Sequence, residues 1–209
     1  MGAKWLLGHS TVFHSQQMGL AALFWNVRRL GRASKRRVVK NAVVHSKCNV
    51  VCFQETKLEE INSRIISSSC GGRIDSWVYL GASGSAGVLL TTWNSKEVNG
   101  HPLHKGRFFI STVHSFSSQS SVEWLLMNVY SPVDTTLRRS FLEEIRSIKD
   151  CWNRPWALVG DFNMVHYPEE RKGSTSSHAS SADFNLFIEQ MQLLEIRIAQ
   201  KNFAWRIHP

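Results

Sequence analysis

Three apolar runs in this chain each end on an asparagine or a carboxylate: Leu20 to Val27 carries Trp25-Asn26, Val50 to Phe53 leads into Gln54-Glu55, and Trp156 to Val159 leads into Gly160-Asp161-Phe162-Asn163. A short run that is apolar at nearly every position fits a strand buried in a sheet. A polar residue at its end arrives at the sheet's rim, held in place by the packed residues behind it. Any fold for this chain therefore has to accommodate Asn26, Glu55 and Asp161 at the ends of buried strands.

Apolar segments alternate with amphipathic ones along the rest of the chain, which predicts a mixed α/β (α+β) protein. Strands are expected at 20–27, 50–54, 77–80, 87–93, 108–114, 122–130 and 156–159, where β-branched and aromatic residues gather. A first helix starts near Ser34 as N-cap, with Val38, Val39, Ala42 and Val43 on one side and basic residues on the other. A second follows Pro132, capped by Asp134 or Thr135, with Leu137, Phe141, Ile145 and Ile148 as its core stripe. A third starts around Ser181 and carries Phe184, Phe187, Ile188, Met191 and Leu194. Strands joined by hairpins with helices outside fit a two-sheet β-sandwich flanked by helices. The polar loop 168–178, placed after the strand that ends at Asp161, is expected to overhang that strand's end.

With 209 residues, 43% of them hydrophobic, the chain can bury one sizeable core, so a single domain is expected. No apolar run reaches the ~18 residues needed to cross a membrane. The opening twenty residues lack the apolar core of a secretory signal. They are expected to be an N-terminal extension with little order, residues 1–19, ahead of the domain. Cys48, Cys52, Cys70 and Cys151 are scattered without a Cys-x-x-Cys pair, as in reduced intracellular proteins, so a nuclear or cytoplasmic location is expected.

The net charge of +9 is unevenly placed. Residues 1–54 hold nine Lys and Arg and no Asp or Glu, while the remaining 16 basic residues balance all 16 acidic ones. Arg28, Arg29, Arg32, Lys35, Arg36, Arg37 and Lys40 crowd into thirteen positions beside Asn26. Such a concentration is the footprint of a surface that binds a polyanion, with Arg28, Arg32 and Arg36 as candidate contacts to nucleic acid. A solvated helix face accounts for the same run of charge. Arg171 joins the candidates because a guanidinium pairs bidentately with phosphate oxygens.

Asp161 and Asn163 lie two apart, so on an extended segment they share a face while Phe162 turns to the other and packs inward. An Asx turn after a strand suits the same tetrapeptide. Tyr130, within Asn128-Val-Tyr-Ser-Pro132, ends the strand before the second helix. Taken in order, Trp25-Asn-Val-Arg28, Gln54-Glu-Thr-Lys57, Asn128-Val-Tyr-Ser-Pro132, Gly160-Asp-Phe-Asn163 and Phe203-Ala-Trp205 resemble the endonuclease/exonuclease/phosphatase superfamily, closest to the endonuclease domain of plant LINE-type retrotransposons, over residues 20–206. The resemblance implies a DNase I-like four-layer fold. It also implies Glu55 as the principal metal ligand, with Asn26 completing or orienting its shell. Asp161 becomes the base that activates water, Asn163 its partner near the substrate phosphate, and Tyr130 a hydroxyl against the scissile phosphate. The implied cofactor is Mg²⁺, with Mn²⁺ as a substitute, and the implied partner is DNA.

Two departures from the family pattern stand out. Arg29 occupies a position where the family usually has glycine. The family's closing Ser-Asp-His, tens of residues beyond the Phe-x-Trp element, has no counterpart in the four residues after Trp205. Residues 20–209 are accordingly expected to form an incomplete domain lacking its last strands. Two functions follow: a metal-dependent endonuclease that nicks DNA, or a catalytically dead, retroelement-derived remnant that binds nucleic acid. Cleavage of small phosphoesters or phosphoinositides by the same metal chemistry is a third, ranked below both because of the basic region.

Overall fold

The computed structural model describes residues 3–7, 10–15, 20–81, 88–164 and 178–195. Eleven strands are described: β1 (Ala3–Leu7), β2 (Ser10–Ser15), β3 (Leu20–Asn26), β4 (Val50–Gln54), β5 (Ser76–Leu80), β6 (Leu89–Trp93), β7 (Val98–Lys105), β8 (Phe109–Phe116), β9 (Gln119–Tyr130), β10 (Trp156–Asp161) and β11 (Leu193–Glu195). The helices are α1 (Ala33–Ser46), α2 (Ser63–Cys70), α3 (Arg138–Asp150) and α4 (His178–Gln190). One sheet has the order β11-β1-β10-β9-β8-β7 and the other β2-β3-β4-β6-β5. Both are mixed, with β9, β10, β1 and β11 parallel in the first and β3 and β4 parallel in the second.

Side-chain alternation explains why the strands read as continuous apolar runs. In β3, Leu20, Ala22 and Phe24 face the other sheet, while Ala21, Leu23 and Trp25 pack with Val39 and Val43 of α1 and Ile66 of α2. In β9, Trp124 and Leu126 face inward, and Leu125, Met127 and Val129 pack with Phe141 and Ile145 of α3 and Phe184 and Phe187 of α4. Each strand thus has two apolar faces to bury, and the layers run helices, sheet, sheet, helices.

A buried polar bridge joins the two sheets close to one end. Gln54 Nε2 donates to Asn128 Oδ1 at 2.7 Å, and Asn128 Nδ2 donates to the Leu90 carbonyl and Thr91 Oγ1, both at 3.2 Å. Gln54 and Asn128 are fully buried, so the bridge fixes the spacing of the residues that follow them, Glu55 on one sheet and Tyr130 on the other.

Several expectations are corrected. Residues 3–7, placed in an extension of little order, form β1 within the first sheet, paired in parallel with β10 from Lys4 against Ala157 to Leu7 against Gly160. Residues 10–15 form β2, antiparallel to β3. Both runs are short and interrupted by polar residues, and the partner of β1 lies far along the chain, so local pattern gave no sign of them. The first helix is N-capped by Arg32 rather than Ser34, and Val38 is 51% exposed instead of sharing the core stripe. The third helix stops at Gln190; Leu193–Glu195 is β11, drawn into strand geometry by pairing with Ala3–Trp5. The second helix agrees with expectation. Asp134 caps a 3₁₀ turn at Thr135–Leu137, accepting from the Thr136 N–H at 2.9 Å, and α3 continues from it with Phe141 and Ile145 buried. Helix α2 and strand β7 had not been anticipated. The four cysteines are free, and burial pushes the thiols of Cys48, Cys52 and Cys70 up to about 11, 12 and 12. Among the described residues no helix is long and apolar enough to cross a membrane.

Candidate metal-dependent phosphodiesterase site

Four parallel-running strand ends converge on one rim of the sandwich: β3 and β4 from one sheet, β9 and β10 from the other. Alternation carries the inward face of β3 from Phe24 to Asn26, that of β9 from Leu126 and Asn128 to Tyr130, and that of β10 from Val159 to Asp161. Asn26, Tyr130 and Asp161 are delivered to the seam between the sheets by the same periodicity that builds the core. Glu55 follows Gln54, which already occupies the inward face of β4, so simple alternation turns Glu55 outward. A left-handed backbone at Glu55, φ 54°, redirects it, and its carboxylate meets Asn26.

The hydrogen bonds centre on Asn26. Its Nδ2 donates to Glu55 Oε1 at 2.8 Å and to Asp161 Oδ2 at 2.9 Å, while its Oδ1 accepts from the Arg28 N–H at 3.1 Å. Residues 26, 55 and 161, far apart in sequence, therefore share one amide group. Asp161 Oδ1 accepts from the Asn163 N–H at 3.0 Å, and Asn163, at φ 48°, turns its Nδ2 to the Ser131 carbonyl at 2.8 Å. The Asx turn and the functional cluster coincide. Between Asp161 and Asn163, Phe162 is buried against Phe184, with ring centroids 5.2 Å apart, so the turn is anchored in the α4 side of the core as the sequence predicted.

Two half-buried carboxylates face each other here, and among the described residues neither has an ion-pair partner. Tyr130 registers their field. Burial, then the hydrogen bond to Glu55 and its charge, then the charge of Asp161, push its phenol up to about 12, with Asn163 opposing. No three His, Cys, Asp or Glu side chains converge anywhere among the described residues. The carboxylates of Glu55 and Asp161 supply the oxygen chemistry that suits a hard divalent cation and not a soft one, while Asn26, whose Nδ2 faces both and whose Oδ1 accepts from the Arg28 N–H, orients the pair. Glu55 and Asp161 thus fit Mg²⁺ or Mn²⁺, with Asn26 as the group that aims them.

The basic candidates divide. Arg28 and Arg32 are exposed beside the site, and Arg37 and Lys40 are exposed along α1. Arg36 is not a free hand for phosphate: its Nη1 donates to the Leu30 carbonyl at 3.2 Å and to that of Gly31, holding the loop that leads into α1. Lys35 lies over the Trp25 ring at 5.4 Å, and burial, aided by Arg28, lowers its pKa. Arg171 and Trp205 lie outside the described residues. Arg29 sits at φ 127°, a region that side-chain-bearing residues rarely enter, at the very position where the family's glycine was missed.

Sequence reasoning overlooked Gln54, Asn128 and Arg138. The first two carry a signal, a polar residue ending or interrupting a run otherwise apolar. Arg138 is a basic residue in the first turn of a helix that has no acidic residue there, a poor match to the helix dipole that marks it for another role.

The architecture is the DNase I-like four-layer sandwich. Solved structures that share it include the endonuclease domain of TRAS1, a telomere-specific non-LTR retrotransposon, at 14% identity and TM-score 0.58, covering 81% of this chain and 71% of that one. The AP endonuclease LMAP from Leishmania major matches at 17% identity and TM-score 0.59, covering 81% and 66%. An AP endonuclease from Archaeoglobus fulgidus matches at 15% identity and TM-score 0.61, covering 82% and 70%. No protein-family model matches the chain, and no curated protein does.

Proposed function

We propose that this chain is a metal-dependent phosphodiesterase acting on DNA as a nicking endonuclease, with Glu55 as the principal ligand of Mg²⁺ or Mn²⁺ and Asn26 completing or orienting its shell. The observation that carries the reading is the single amide of Asn26 shared by Glu55 and Asp161, three strand-end residues of the expected types joined across two sheets. When bound, the cation supplies charge neutralisation at the phosphoryl group and at the leaving oxygen. Asp161, held by the Asn163 N–H, accepts the proton of the attacking water. Tyr130 stays protonated up to about pH 12 and so presents an O–H donor to a phosphate oxygen throughout the physiological range. The Asn163 amide and the exposed guanidinium of Arg28 stand beside it as further phosphate partners. A nuclear or cytoplasmic site of action accords with free, buried thiols.

The order of motifs supports a retroelement origin of the plant LINE type. A second reading, binding of nucleic acid without turnover, draws on the exposed cations of residues 28–40, whose contribution is sequence-independent and falls steeply with salt. Calorimetric titration of Mg²⁺ into the purified chain and into Glu55→Gln tests the metal reading without relying on activity. Saturable binding weakened at least ~10-fold in Glu55→Gln is expected; equal binding by both proteins contradicts the assignment of Glu55.

A further inference from the structure

Arg138 opens α3, directly behind the turn that follows Tyr130. Its guanidinium reaches three backbone carbonyls: Nε donates to Pro132 O at 3.3 Å, and Nη2 donates to Val133 O at 3.2 Å and to Asn163 O at 3.0 Å. Pro132 and Val133 belong to the segment leaving β9, and Asn163 to the turn leaving β10. Two further bonds join the same segments, Ser131 N–H to Asp161 O at 2.8 Å and Asn163 Nδ2 to Ser131 O at 2.8 Å. Past the ends of β9 and β10 the sheet ladder is no longer available, and these contacts hold the two segments in register. Asn163 also needs support because it holds a left-handed backbone, φ 48°, while bonding both Asp161 and Ser131.

We propose that Arg138 is a positioning residue for the phosphodiesterase reading above, on which the inference rests: its planar fork ties the segment after Tyr130 to the turn after Asp161, and so sets the spacing between the Tyr130 hydroxyl and the Asp161–Asn163 pair. A fork reaching three carbonyls on two segments suits arginine, because an ammonium is a single point of donation and spans them less well. The next residue, Arg139, is exposed and serves as the contrast. An Arg138 that acted by attracting DNA would share its effect with Arg139, whereas a positioning residue would not.

The test compares the parent chain, Arg138→Ala, Arg138→Lys and Arg139→Ala in Mg²⁺-dependent nicking of supercoiled plasmid, with Asp161→Ala reporting whether nicking arises at this site. For Arg138→Ala, kcat is expected to drop about 100-fold with KM within about threefold of the parent, because misplacement of reacting groups by an ångström has that effect on the chemical step. Arg138→Lys is expected to fall between the two and guards against misfolding of the alanine variant, while Arg139→Ala keeps the parental kcat. A second readout needs no turnover: hydrogen exchange at the Ser131 and Asn163 amides, which bond to Asp161 O and Oδ1, is expected to quicken about tenfold or more in Arg138→Ala and to stay parental in Arg139→Ala. Parental kcat together with parental exchange at these two amides in Arg138→Ala overturns the proposal, as does a loss confined to KM and equal in Arg139→Ala. If the parent itself does not nick, the endonuclease reading fails and the amide exchange alone decides the role of Arg138.

Discussion

At the scale of single residues, the site is set by backbone conformations that side-chain pattern does not reveal. Glu55, Asn163 and Arg29 all lie at positive φ; Glu55 uses it to aim its carboxylate at Asn26, and Asn163 to bring its N–H to Asp161 and its Nδ2 to the Ser131 carbonyl. Arg29 makes no described contact that repays its φ of 127°. Replacing it by glycine relieves that strain and is expected to stabilise the fold by about 1–2 kcal/mol, less the entropy glycine adds to the unfolded chain. Urea denaturation checks this: a midpoint shifted upward at unchanged slope is expected, and a midpoint at or below the parent's contradicts the strain argument. That Asn26, Glu55, Tyr130, Asp161 and Asn163 gather at one rim was legible, because they sit in motifs at strand ends. How Glu55 comes to face Asn26 was not, since alternation along β4 turns it outward and only its φ of 54° brings it back. Arg36 shows the same limit from the other side: its charge is plain in the sequence, but the carbonyls that occupy it are not.

At the scale of elements, β9 and β10 must lie closely together for Tyr130 and Asp161 to be neighbours. Gly160, at φ 133°, makes this contact possible, for a Cβ there would sit 2.0 Å from the Val129 carbonyl oxygen. Gly160→Ala is expected to destabilise the chain by about 3 kcal/mol or more, because it adds a backbone clash to a conformation alanine resists. A thermal midpoint within a degree or two of the parent's would show that the strands can part without cost. Elements whose signal is local were foreseen: β3, β4 and β10 as apolar runs, and α3 from its cap and stripe. Those whose existence depends on a distant partner were not, as β1 shows by pairing residues 4–7 with 157–160. Strand propensity is weak in such short segments, and the sheet that recruits them has no trace in the local sequence.

At the scale of the whole molecule, a buried histidine makes stability depend on pH in the acid range. His114 is buried between the rings of Trp124 and Trp93, and desolvation, with a small contribution from the charge of His101, lowers its pKa to about 3. The unfolded chain takes up a proton as pH falls through 6.5, whereas the folded chain does not until near pH 3. The unfolded state therefore binds more protons in this window, and stability falls on acidification by about 1.4 kcal/mol for each pH unit below 6.5 that this group governs. Urea midpoints measured from pH 7 to 4 are expected to decline, and to decline less steeply in His114→Gln; equal slopes would place the acid sensitivity elsewhere. Charge is also distributed globally, with the exposed cations of α1 flanking an acidic site in the seam. That arrangement suits the proposed reading, a polyanion laid across a cation-binding centre. Nicking of supercoiled plasmid by the purified chain in Mg²⁺, beside an EDTA control and an Asp161→Ala protein, tests that reading most directly. Relaxed circles that require both Mg²⁺ and Asp161 are expected; intact plasmid with folded, Mg²⁺-saturated parent chain, or nicking that persists in Asp161→Ala, would contradict it.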